Sequence, residues 1–140
     1  MPYYNLSLFY LYVILNITYL YMNVVILSAI ILITIDSIYL YLIQSIFLKQ
    51  ITSIQKSPLQ FNIYGAILCY ILLVFGINYF ILSPNKSVID AFILGVVIYG
   101  VYETTNLTLF KQWSPYIVIL DTIWGGVLFA LTTYIVKQIK

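Results

Sequence analysis

The sequence has no arginine and no histidine, a single cysteine, and charged side chains at only 7% of its 140 positions. Each absence removes a class of function. Without histidine there is no imidazole acid or base and no histidine metal cluster, and no serine or cysteine nucleophile motif takes their place. A lipid-modifying enzyme using carboxylates as acid and base is accordingly the weakest of the functional readings, and no catalytic residue or cofactor is assigned. The six lysines are scattered, with no basic run to neutralise successive phosphates, so nucleic acid is not an expected partner. Cys69 cannot form an internal disulfide and reads as a small apolar filler. The first lysine is Lys49, so the positive n-region of a conventional signal peptide is missing.

What is present is apolar. Hydrophobic residues make up 64% of the chain, against roughly half in a soluble domain. No charge occurs from Tyr3 to Ile35, and later runs of about 20 mostly apolar residues have the length a helix needs to cross ~30 Å of hydrocarbon. Val24 to Ile33 is apolar except for Ser28, which rules out the alternation of a barrel strand. The expected fold class is all-α: an integral membrane helical bundle with the lipid bilayer as its surroundings. Four transmembrane helices are placed at 23–47, 61–82, 88–107 and 116–136, giving a domain over 23–136 and a short tail at 137–140. Pro58, the Ser-Pro-Asn-Lys-Ser stretch at 83–87 and the Phe-Lys-Gln-Trp-Ser-Pro stretch at 110–115 mark the loops.

Residues 1–22 form a further hydrophobic segment with three readings. It extends the first helix, lies in the interface where its tyrosines are at home, or makes a short fifth span set off by a break between Asn16 and Asn23. The apolar run 6–20 is short for a span, so the first two readings are preferred. Lys49, Lys56 and Lys111 share one side of this topology and Lys86, Lys137 and Lys140 the other, so lysine asymmetry assigns no orientation.

Against this background four acids need explaining. Asp90 follows Ser87 by three residues at the start of the third span, the spacing of a capping box, and a carboxylate there suits the positive end of the helix dipole. Asp36, Glu103 and Asp121 instead lie inside spans. An ionisable group in the membrane is costly and is a functional-site candidate by default. No lysine lies within a span to neutralise them. Three states satisfy that constraint: a neutral hydrogen-bonded carboxyl, a proton relay, or a carboxylate around a cation. The oxygen ligands available suit alkali, magnesium or calcium ions better than zinc.

The local patterns repeat. Ile35-Asp36-Ser37-Ile38-Tyr39 and Leu120-Asp121-Thr122-Ile123-Trp124 both read apolar, acid, hydroxyl, Ile, aromatic. The i to i+3 spacing puts each acid and its aromatic on one helix face. In the third span Tyr99, Tyr102, Glu103 and Asn106 form a polar stripe that should face protein or water, with Asn106 one turn from Glu103 as a natural partner for it. Gly95 continues that stripe and Gly125 that of Asp121, where small residues let helices approach.

These residues resemble a known family. Tyr99-Gly100-Val101-Tyr102-Glu103-Thr104-Thr105-Asn106, then Trp113, Pro115 and Asp121-Thr122-Ile123-Trp124-Gly125, are similar to the Y-G-x-Y-D-x-T-N, W-P and D-x-x-W-G elements of domain-of-unknown-function family 2177, and Asp36-Ser37-Ile38-Tyr39-Leu40 to its D-x-x-W-L. Glu103 replaces the family's Asp, Tyr39 its first Trp, and Ser114 separates Trp113 from Pro115. The resemblance implies a four-helix membrane fold and brings no activity with it.

The expected site therefore comprises Asp36, Tyr39, Tyr99, Tyr102, Glu103, Asn106, Asp121 and Trp124, with Gly95, Gly100 and Gly125 at helix contacts. The expected function is binding or movement of protons or small cations, with self-association into a homo-oligomer as part of that reading. The alternative is a structural or partner-binding membrane protein whose acids serve helix association.

Overall fold

The structure is a computed structural model and describes residues 6–139. Lys140 and the first five residues of the N-terminal segment lie outside the described residues. The chain forms four helices and, among the described residues, no strand: α1 (Leu6–Gln55), α2 (Ile63–Ile77, continued by a π-helical turn at Asn78–Leu82), α3 (Val88–Leu109) and α4 (Pro115–Ile139). All four are long and apolar enough to cross a membrane.

Helix α1 contains 50 residues, about 75 Å at 1.5 Å per residue, against ~30 Å of hydrocarbon. Nothing in the sequence interrupts it. No proline occurs between Pro2 and Pro58 and no glycine before Gly65, and these are the residues that break helices. The break considered between Asn16 and Asn23 is therefore absent, and residues 6–22 are an extension of the first helix. Asn16 turns its side-chain amide back onto its own helix, donating to the Tyr12 carbonyl at 2.8 Å. Helix α1 also continues past the expected end at 47, stopping where Lys56 takes a left-handed φ of 57° and donates its N–H to the Thr52 carbonyl.

The remaining ends have clear local causes. Asn62 caps α2 by accepting from the N–H groups of Tyr64 and Gly65 at 3.0 and 3.1 Å, so the second helix starts at Ile63 rather than at 61. Ser87 and Asp90 form the capping box expected for α3. The Ser87 hydroxyl oxygen accepts from the Asp90 N–H at 3.1 Å and the Asp90 carboxylate accepts from the Ser87 N–H at 2.9 Å. Pro115 opens α4 at the first helical position, where its missing N–H costs nothing.

Helices α3 and α4 are the tightest pair, and glycines explain why. A Cβ built on Gly95 would lie 2.1 Å from the Gly125 carbonyl oxygen, so the two backbones touch. Gly126 admits Phe92 and Val96 in the same way. Helix α1 lies against α4, and α2 closes the bundle through Leu73, Ile77 and Ile81, which join Leu32, Leu128 and Phe129 in one buried cluster. Between α1 and α2 an apolar groove of about 620 Å³ remains on the outer face, walled by Val25, Ala29 and Ile33 on one side and Ile67, Ile71 and Val74 on the other. Large apolar side chains such as Leu42, Leu72 and Ile119 point outward and are exposed in the isolated chain, as lipid-facing positions are.

Candidate functional site

The α1–α4 crossing carries two of the three acids. Helices of opposite direction bring Asp36 against Trp124 and Tyr39 against Asp121, because antiparallel chains pair positions in reverse order. The Tyr39 hydroxyl donates to Asp121 Oδ1 at 3.0 Å. The Trp124 indole N–H donates to Asp36 Oδ1 at 2.9 Å. Between these bonds the two rings stack, with centroids 4.0 Å apart and planes within 8°. Each acid was expected beside the aromatic of its own helix. Instead the partners are exchanged across the interface, making a reciprocal pair that joins the helices.

Helices α2 and α3 complete the cluster. Tyr70 on α2 donates its hydroxyl to Asp36 Oδ2 at 2.8 Å, so both oxygens of Asp36 are occupied. Glu103 on α3 is fully buried, and its Oε2 accepts from the indole N–H of Trp113 at 2.7 Å. Glu103 Oε1 has no N–H or O–H donor within reach among the described residues. The Glu103 and Asp121 carboxyls are close enough to interact. Two carboxylates offer only lone pairs to one another, so a bond between them requires a proton on one of the two.

The other expected residues fall at varied distances from this centre. Asn106 does not partner Glu103: its amide Nδ2 is buried without a hydrogen-bond partner among the described residues, and Trp113 occupies the carboxyl instead. The reason is reach. The connector after α3 folds Trp113 back over Glu103, and a buried indole N–H needs an acceptor. Tyr102 is exposed and meets Trp113 edge-on at 6.5 Å. Tyr99 packs into the notch at Gly125, where a Cβ would lie 2.3 Å from its ring. Gly95 and Gly125 thus sit at a close helix contact as expected, whereas a Cβ on Gly100 would be in ordinary contact with Thr122 at 3.4 Å, so Gly100 is not needed for close approach.

Sequence reasoning missed Tyr70 entirely, since it is one of 15 tyrosines with no acid on its own helix. It also gave Trp113 no role beyond the resemblance. The available signal was that the chain has only two tryptophans, and both donate to buried carboxyls. No group of three acidic or cysteine side chains stands close enough to hold a metal ion among the described residues. Asp36 and Asp121 are linked through the stacked Trp124 and Tyr39 rings that donate to them.

A family model described as a predicted membrane protein, DUF2177, matches residues 19–137. No curated protein and no solved structure matches the chain.

Proposed function

This chain belongs to the DUF2177 family of predicted membrane proteins, and from that premise we propose that its intramembrane carboxyl cluster binds and passes protons. The observation that carries the reading is the pair Glu103 and Asp121, two buried neighbouring carboxyls with no lysine in any span to neutralise them, which can hydrogen-bond to one another only when one is protonated. Tyr39 extends the pair, because a phenol can donate to Asp121 while accepting at the same oxygen. Trp113 and Trp124 donate only, so they orient the carboxyls and take no part in passing a proton. Asp36, held by Trp124 and Tyr70, is the third carboxyl of the cluster. Self-association belongs to the same reading, since four spans enclose only a narrow path.

A second reading has its own support. Asp121 accepts a hydrogen bond from α1 and Asp36 two, from α4 and α2, while Glu103 accepts one from the connector after α3. Such bonds hold helices together at ~0.6 to 2 kcal/mol apiece with no transport at all. Isosteric substitution separates the two. Glu103→Gln and Asp121→Asn keep an acceptor oxygen for Trp113 and Tyr39 while replacing the titratable carboxyl by an amide that cannot pick up and release a proton. In proteoliposomes under a pH gradient, the proton reading expects flux from the native protein and none from either variant. Folded native protein that gives no flux above empty liposomes leaves the structural reading.

A further inference from the structure

Two turns away from the carboxyl cluster the same three helices bring together a second set of polar side chains. On α1 an eight-residue step leads from Asp36 to Ser28, on α2 from Tyr70 to Asn78, and on α4 from Trp124 to Thr132. Residues eight apart return to the same helix stripe about 12 Å along the axis. The register is conserved over that step: Tyr70 bonds Asp36, and Asn78 bonds Ser28 through its Nδ2 at 2.8 Å. Ser28, Thr132 and Thr133 are 0% exposed and Asn78 3%.

The hydrogen-bond inventory of this set does not close within the protein. Asn78 spends both amide hydrogens, one on Ser28 Oγ and one on the Val74 carbonyl at 2.8 Å. The Ser28 hydroxyl donates to the Val25 carbonyl at 2.9 Å. Asn78 Oδ1, Thr132 Oγ1 and Thr133 Oγ1 are buried with no partner among the described residues. An acceptor-only oxygen on Asn78 and the Thr132 hydroxyl, both dehydrated and both on the stripes that carry the cluster, call for a small molecule that donates and accepts. Leu128 and Phe129, one turn before the two threonines, belong to the same buried cluster as Ile77 and Ile81, which flank Asn78. Asn78 is also the first residue of the π-helical turn, a local widening often found at functional sites.

We propose that Ser28, Asn78 and Thr132 form a second intramembrane site that holds water and passes protons between the carboxyl cluster and the membrane face bearing Lys86 and Lys137. This rests on the proton reading of the cluster. Buried polar atoms of this kind are normally met by water making two to four bonds. Between the two sites stand Leu32 and Leu128, each 0% exposed and each one turn from both polar levels. They form a dry layer that must part for the two sites to connect.

The test pairs hydroxyl-radical footprinting, which labels side chains beside bound water, with proton flux in the same proteoliposomes. Native protein should be labelled at Leu128, Phe129 or Ile77. Thr132→Val and Asn78→Leu should lose that labelling and at least tenfold of the flux, and Thr132→Ser should restore both. Thr132→Val keeps the side-chain shape, so its effect does not depend on whether Asn78→Leu folds. Absence of internal labelling in the native protein overturns the proposal. So does native flux in Thr132→Val and Asn78→Leu; if Glu103→Gln is inactive at the same time, the carboxyl reading survives and this inference alone fails. Native labelling without any native flux refutes both the carboxyl reading and the relay.

Discussion

Replacing Gly95 by alanine is expected to separate α3 from α4. The added Cβ would lie 2.1 Å from the Gly125 carbonyl oxygen and 2.6 Å from its carbon, while ordinary contact begins at 3.4 Å. The obstacle is backbone, so no rotamer change relieves it, and the axes must part by about 1.3 Å at the crossing, the shortfall from ordinary contact. Overpacking of this kind costs about 1–3 kcal/mol, and helix propensity returns about 1 kcal/mol of it for Gly to Ala. Gly100→Ala is the matched control on the same helix. Its Cβ would sit in ordinary contact with Thr122, so only the propensity gain applies. The two variants should thus differ by about 2 kcal/mol in stability. The assay is reversible unfolding in bicelles, with Gly95→Ala below native and Gly100→Ala at or above it. Equal stability of the two variants would refute the close α3–α4 contact.

Two further predictions concern the α1–α4 interface. Tyr39→Phe keeps the ring stack on Trp124 but deprives Asp121 Oδ1 of its donor, and should destabilise the bundle by about 1–3 kcal/mol. Tyr64→Phe, at an 81% exposed position, should be neutral in the same unfolding measurement. In a Cys69→Ser background, Leu32→Cys with Leu128→Cys should form a disulfide on mild oxidation, because the register that pairs Asp36 with Trp124 and Tyr39 with Asp121 sets these positions opposite. Ile33→Cys with Leu128→Cys should not, and equal cross-linking of both pairs would contradict the register.

Much of this was written locally in the sequence. The unbroken apolar runs fix the helices, Ser87 and Asp90 fix a helix start, and Gly95 and Gly125 mark where backbones meet. Asp36, Glu103 and Asp121 stood out because charge is rare in such a chain. The pairings were not legible, because they depend on which helix lies beside which. Spacing within one helix put Tyr39 with Asp36, and only the antiparallel packing of α1 on α4 hands Tyr39 to Asp121. The same limit hid Tyr70, whose acid is on another helix, and Trp113, whose connector folds back onto α3. The length of α1 was ambiguous for a different reason. Asparagine at position 16 resembles a break, yet it satisfies its amide on the preceding turn and leaves the helix intact.

The central claim is that Glu103 and Asp121 share a proton inside the membrane, and the most direct measurement is the carboxyl infrared spectrum of the purified protein in lipid near neutral pH. A protonated carboxyl absorbs at a C=O stretch well separated from that of a carboxylate. The account predicts such a band in the native protein, shifted by exchange into D₂O and lost or displaced in both Glu103→Gln and Asp121→Asn. A native spectrum with no protonated carboxyl band, or a band untouched by either substitution, would contradict it.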